Sequence, residues 1–216
     1  MRNRIKYIIG GFIIALTLNS CRKDEKPTVV GTTPYVYEYP QLIGQYLPPI
    51  EDPNDNLITE EGIELGRKLF FDVRLSGDNT QSCGSCHQPS AAFSDTSQYS
   101  LGIDGLEGSR NAMPLFNLGW MKNGFFWDGR SNSIEAQAFK PVTDPVEMHE
   151  TWPNAVSKIQ EDSQYQFLFE QVFGTGDIVS VMISNCAQLF GILQARQLLT
   201  PSWRHSNHSC IQYQFQ

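Results

Sequence analysis

Cys83-Gly84-Ser85-Cys86-His87 is the stretch whose residue types and spacing carry the most chemistry. Two thiols three positions apart can add to the two vinyl groups along one edge of a porphyrin. The imidazole that follows directly is then placed to bind the iron, which is the arrangement of a c-type haem. Axial ligation decides whether such an iron passes electrons or binds a substrate. A bare CxxC also suits a redox dithiol or half a zinc site. The first wants a thioredoxin-like βαβ setting, which the sequence lacks. The second wants another ligand pair at matched spacing, and Cys186 and Cys210 lie too far apart in sequence to be one. Attachment of one haem c through Cys83 and Cys86, with His87 as the iron ligand, is therefore the expectation.

The N-terminus says where such a group would be attached. Arg2, Arg4 and Lys6 form a basic n-region, and Ile8 to Leu18 is an apolar core too short to span a bilayer comfortably. Leu18-Asn19-Ser20-Cys21 then reads as a lipoprotein box, with Cys21 lipidated and the mature protein held on the outer side of a membrane, in the periplasm or at the cell surface. An ordinary signal peptide or membrane anchor is the alternative. Residues 1–20 are thus read as a signal peptide and 21–54, rich in Pro, Tyr, Asp and Glu, as an extended tether. The net charge of −7 becomes more negative once the signal's three basic residues are removed. That argues against a nucleic-acid partner, since nothing here would neutralise a row of phosphates.

The elements that must position the pentapeptide read as helices joined by long loops, over residues 55–177. Thr59 is placed to cap a helix whose first turn, Glu60 and Glu61, suits the positive end of the dipole, and which continues to Phe70. Asn132 with Glu135 predicts a capped start for Ile134 to Phe139. Thr151 predicts another helix through Ala155, Val156 and Ile159. Ser163 leads into Tyr165, Leu168, Phe169, Val172 and Phe173, with Gly174 as the stop. Gln88 to Gly129 is loop-like, and a loop of that length is usually functional. The fold expected is all-α and centred on a haem.

With these blocks in order, the chain resembles the bacterial di-haem cytochrome c peroxidases and their relatives in methylamine utilisation. The resemblance rests on Leu65-Gly66-Arg67-Lys68-Leu69-Phe70-Phe71-Asp72, Arg74-Leu75-Ser76, the CGSCH motif, Ala92-Phe93-Ser94-Asp95, Arg110-Asn111-Ala112, Phe126-Trp127-Asp128-Gly129-Arg130 and Pro145-Val146-Glu147-Met148. It implies a cytochrome c-like haem domain whose long loops wrap the cofactor, with Cys83, Cys86 and His87 holding the peroxide-reacting haem. It further implies that Trp127 lies between two haems and helps electrons pass. Gln137 and Glu147 would stand beside the peroxide pocket, Glu147 as general acid/base, and Asn111 would help hold a calcium ion. The alternatives are a packed Trp127, a loop-capping Glu147, an Asp128–Arg130 pair and a surface His149. Met113, Met121 and Met148 are read either as packing thioethers or as a sixth iron ligand.

Two departures from the family pattern stand out. Some members close this haem with a histidine in the loop before Arg-Asn. Here that loop reads Gly102-Ile103-Asp104-Gly105, so an open sixth position is expected. The family's second CxxCH is also absent, and Ile178 to Gln216 contains no Asp, Glu or Lys. We therefore read 178–216 as an atypical tail, frameshifted or truncated. Leu189, Ile192 and Leu193 form a short amphipathic pattern there, and His205 and His208 read as disordered tail rather than as metal ligands. The leading function is reduction of hydrogen peroxide with electrons from a small redox protein, a cytochrome c or a cupredoxin-like protein. The others are a mono-haem electron carrier and a relative that oxidises a protein side chain or an organic substrate.

Overall fold

The computed structural model describes residues 31–37, 39, 41–52 and 58–178. The signal segment, Cys21, most of the atypical tail and the histidines in it lie outside the described residues. Two helices open the described chain, α1 (Gln41–Tyr46) and α2 (Glu60–Phe70). Thr59 caps α2 as expected, its hydroxyl accepting the Gly62 N–H at 3.0 Å. Ile63, Leu65, Gly66, Leu69 and Phe70 recur at helical spacing and are buried, which is the pattern that turns one stripe of a helix into core.

After a turn of 3₁₀ helix (Val73–Leu75), the anchoring cysteines form a helix of their own, α3 (Cys83–Cys86). The later helices are α4 (Ile134–Thr143), α5 (Trp152–Gln160) and α6 (Ser163–Phe173). α2 and α5 both pack against α6, and the core they share includes Leu65, Leu69, Phe70, Leu75, Val156, Ile159, Tyr165 and Phe169. Asp162 caps α6 through the Gln164 N–H, and Gly174 ends it in the left-handed region at φ 71°, as a glycine stop should. Among the described residues there is no sheet, only four isolated bridges. Three of them pin the long loop, at Gln88 to Ser94, Leu101 to Glu107 and Phe125 to Ser131.

Two expectations need correction here. The cap of α4 is Ser133, whose hydroxyl accepts the Ala136 N–H, rather than Asn132. That helix also runs past Phe139 through Pro141 to Thr143. Pro141 has no N–H to donate to the carbonyl four residues back, so the ladder carries one gap near the end of this helix. The second correction concerns the tether, whose described part is docked rather than extended. The Tyr35 N–H bonds to the Ile58 carbonyl and the Glu60 N–H to the Thr33 carbonyl, both at 3.0 Å. The rings of Tyr35, Tyr37, Tyr39 and Trp120 follow one another at 5.1, 5.9 and 6.1 Å between centroids. The Trp120 indole N–H donates to the Pro48 carbonyl. Aromatic surface of this size gains more from burial than a solvated linker would from chain freedom.

A buried charge fastens α5 to the turn before α3. The Lys158 ammonium pairs with Glu150 and donates to the Ser76 carbonyl and to Asn79 Oδ1. Burial alone would raise the Glu150 carboxyl. Lys158, the Thr151 N–H and Asn154 outweigh it and hold the group below its ordinary value. The stability this contributes is present above the usual glutamate range and is lost as pH falls through the folded-state value. Lys158→Met strands a buried carboxylate, so we expect a loss of about 3 kcal/mol. It is to be read as a lower urea midpoint at neutral pH, and the double variant with Glu150→Gln should recover most of it.

Candidate functional site

A cavity of about 350 Å³ opens in the middle of the long loop, and the three anchor residues line it. That volume lies within the range of pockets that hold small molecules and cofactors. Cys83 and Cys86 sit one helical turn apart on α3, so both thiols leave the same side of a rigid element. Both thiols are free. Burial, Cys86 and the Glu147 carboxylate together push the Cys83 thiol up to about 12. The Cys86 thiol is also raised, by burial and by Asp95 and Glu147, although the Ser100 hydroxyl works against this. Both thiols face the slot and neither is held in a disulfide. Gly84 lies between them for a steric reason, since a Cβ there would meet the Phe71 ring at 2.5 Å.

His87 follows at the C-terminal end of α3, walled by protein but with part of its surface toward the cavity. Its Nδ1 is 3.0 Å from the Phe93 carbonyl oxygen. Donation from Nδ1 fixes the ring and leaves Nε2 as the lone-pair nitrogen, which is how a metal-bound imidazole is oriented. The carbonyl is delivered by a strained turn, in which Ala92 and Phe93 both adopt left-handed conformations at φ 54° and 57°. The turn is closed by bonds from the Phe93 N–H to the Gln88 carbonyl and from the Gln88 N–H to the Ser94 carbonyl. Strain of this kind is carried where the surroundings fix it and a function uses it. Burial lowers the proton affinity of His87, keeping the imidazole neutral. Slot, paired thiols and a fixed neutral imidazole fit a thioether-linked haem.

Gln137 and Glu147 reach the same cavity from a different direction. Gln137 is buried on α4, one turn before Pro141, which also lines the slot. Glu147 ends a tight turn begun by Asp144, whose carboxylate accepts the Val146 N–H and whose carbonyl accepts the Glu147 N–H. Burial and the neighbouring Asp144 charge raise the Glu147 carboxyl above its ordinary value, with Arg130 opposing. The loop Gly102–Gly105 lies against this turn, with the Ile103 N–H donating to the Glu147 carbonyl at 3.0 Å. The Asp104 carboxylate meets His149 Nδ1 beside it. His149 is thus an exposed surface partner rather than a ligand.

The remaining expected residues are placed as follows. Trp127 lies at the rim of the cavity and is 60 % exposed, so it is not a core residue. Its indole N–H donates to the Asn111 carbonyl at 2.7 Å. The Asn111 amide oxygen accepts the Ser94 hydroxyl, and its NH₂ donates to the Ser97 and Asp95 carbonyls. Asp128 pairs with Arg130 and also with Arg110, which together hold its carboxyl at about 2. Arg130 stacks on the Phe126 ring at 3.5 Å. Met113 and Met148 line the cavity, whereas Met121 does not and is exposed. Among the described residues, no group of three His, Cys, Asp or Glu side chains is placed to hold a metal ion. The sequence reading missed Ser100, which touches both Cys86 and Asp95, and Gly102. Neither carries a signal in its residue type alone.

Comparison with known proteins places this geometry in a lineage. Residues 60–196 match the family model described as di-haem cytochrome c peroxidase. The chain is 38 % identical over 126 residues to a methylamine utilization protein MauG of Methylorubrum extorquens, covering 58 % of this chain and 35 % of that protein. It is 35 % identical over 127 residues to a cytochrome c551 peroxidase of Nitrosomonas europaea, covering 59 % of this chain and 38 % of the relative. The crystal structure of a MauG-like protein associated with microbial copper homeostasis superposes with a TM-score of 0.64 at 27 % identity, over 84 % of this chain and 51 % of the other. The chain thus spans little more than a third of the length of these two curated relatives.

Proposed function

The chain belongs to the di-haem cytochrome c peroxidase family, and we propose that it attaches one haem c in a cytochrome c-like domain. We propose further that it reduces hydrogen peroxide to water with electrons from a small redox protein. The observation that carries this reading is that Glu147 lines the same cavity as Cys83, Cys86 and His87. Bound haem supplies the electron exchange at the O–O bond; the chain supplies proton handling, orientation and exclusion of bulk water. Glu147 takes a proton from one peroxide oxygen and returns it to the departing one, a transfer suited to a carboxyl whose affinity lies above the usual range. The buried Gln137 amide offers both a donor and an acceptor to orient the peroxide. His87, oriented by the Phe93 carbonyl, would hold the haem iron.

Trp127, exposed and tied to Asn111, would pass electrons across the cavity rim. The basic n-region and Cys21 support export and lipid anchoring, in keeping with haem attachment outside the cytoplasm. The Asn111 amide oxygen accepts the Ser94 hydroxyl and keeps a second lone pair, so a calcium ion held there stays part of this reading. A mono-haem electron carrier would need a methionine thioether as a further iron ligand, and Met113 and Met148, which both line the cavity, are the residues that favour it.

Optical spectroscopy of the exported, haem-loaded chain separates the two readings. We expect pigment that survives acid-acetone extraction, a high-spin ferric spectrum, and a change on adding peroxide that accompanies peroxide consumption. Colourless material would overturn both readings. A low-spin His/Met spectrum inert to peroxide would establish the carrier.

A further inference from the structure

The docked tether carries a run of apolar residues that the fold holds out in water. At the end of α1, Tyr46, Leu47, Pro48 and Pro49 are all exposed. Tyr46, at 77 %, is the most exposed large apolar side chain among the described residues. The backbone of the run is nonetheless fixed. The Trp120 indole N–H donates to the Pro48 carbonyl at 2.8 Å, and the Ile50 N–H donates to the Tyr39 hydroxyl at 2.9 Å. Ile50 then packs on Gly119, where a Cβ would lie 2.8 Å from Ile50 Cδ1. A single exposed leucine is ordinary. Four consecutive apolar residues on an anchored backbone are a surface that something else covers.

Reach and chemistry choose the occupant. The bonds from the Glu60 N–H to the Thr33 carbonyl and from the Tyr35 N–H to the Ile58 carbonyl fasten the tether from Thr33 onward. Eleven residues lie between Cys21 and Thr33. Even fully extended, a chain of that length spans at most about 40 Å. Lipid on Cys21 therefore keeps the exposed run close to a bilayer at all times. Pro48 and Pro49 have no N–H, and the Pro48 carbonyl is already bonded, so little backbone polarity is desolvated when the run enters an apolar boundary. Tyrosine pairs an apolar ring with a hydroxyl and is enriched where membrane meets water. Glu51 and Lys122 face each other at 3.9 Å next to the run, so their charges offset and leave it no net charge to repel headgroups.

Resting on the lipid anchoring proposed above, we propose that Tyr46, Leu47, Pro48 and Pro49 form a membrane-resting surface that sits in the headgroup boundary of the bilayer holding Cys21. Two large side chains and two prolines bind a bilayer weakly by themselves. Anchored through Cys21, the same contact becomes intramolecular, and the short leash supplies the effective concentration that the small surface needs. The docked tether thus fixes which side of the domain lies against the lipid, where a solvated linker would let it tumble.

The test reads hydrogen exchange at the Tyr46 and Leu47 amides in the full, haem-loaded, lipidated chain on phosphatidylcholine vesicles. Exchange should be slower by about tenfold or more than in the Cys21→Ser chain without vesicles, a factor that burial of a leucine side chain supports. Adding phosphatidylglycerol or salt should change it little. Leu47→Asp should abolish the slowing although the lipid still holds the chain on the vesicle. Neither residue lines the cavity, so peroxide consumption should be unchanged in that variant. Equal exchange on and off vesicles overturns the proposal, and so does slowing that survives Leu47→Asp. Slowing that grows with protein concentration in the absence of lipid also overturns it, by giving the surface to a second copy of this chain. The anchoring reading fails separately, if the mass of the exported chain shows no acyl group on Cys21. A chain with a histidine tag in place of residues 1–21, held on nickel-chelating lipids, still tests the surface in that case.

Discussion

Glu147→Gln should reduce peroxide turnover by about 100- to 10,000-fold, the range that a positioned general acid/base contributes. Glutamine keeps the size of the side chain and its hydrogen bonding but removes the proton that is moved. Haem attachment should be unaffected, because Cys83, Cys86 and His87 are held by α3 and by the Phe93 carbonyl rather than by Glu147. The pH dependence gives a second readout. As a base, Glu147 must be ionised to take a proton from peroxide, so the parent's rate should fall as pH drops through a value raised above that of an ordinary glutamate. The variant should lack this limb.

Stability should move in the opposite sense. A carboxyl raised by burial favours the fold in its protonated form, an advantage fully present below the ordinary glutamate value and lost as pH rises through the folded-state one. At neutral pH the variant should therefore melt at the parent's temperature or above it. A variant that loses both activity and Tm would count against a proton-transfer role and in favour of a structural one.

Legibility in the sequence follows the range of the interactions involved. The cap of α2, the stop at Gly174 and the anchor pentapeptide depend on residues within one helical turn and can be read from local spacing, whereas Asp162, the cap of α6, was not singled out. The docking of the tether's described part was not legible, because its prolines and acids describe a solvated linker, whereas Tyr39 finds Trp120, far along the chain. Tyr35, Tyr37 and Tyr39 at every second position were the available signal for one buried edge. The start of α4 failed by a single residue for a smaller reason, since Asn132 and Ser133 are both good caps and only the backbone turn chooses between them. Glu147 could be named only through the resemblance, for nothing near it in sequence predicts burial against Cys83. What gives it chemistry is non-local: the thiols of α3, the Asp144 charge, and the Gly102–Gly105 loop on its carbonyl.

That loop supplies the second large effect. A Cβ on Gly102 would lie 2.1 Å from the Val146 carbonyl oxygen and 2.8 Å from that of Glu147. Both atoms are backbone, so no side-chain rotation relieves the clash. Gly102→Ala must then part the loop from the Asp144–Glu147 turn, breaking the bond from the Ile103 N–H to the Glu147 carbonyl. Overpacking of this kind costs about 1–3 kcal/mol in stability. The functional loss should be larger than that figure suggests, because a displacement of about 1 Å at an acid/base group can cost about 100-fold in rate. Gly105→Ala is the internal control. It sits in the same loop at φ 73° with nothing within 4 Å of its Cβ, so it strains the backbone without touching the Glu147 turn. We expect Gly102→Ala to retain its pigment and lose most of its turnover, with Gly105→Ala losing stability but little rate. Equal rates in the two variants would mean that the contact between the loop and Glu147 does not set the position of the carboxyl.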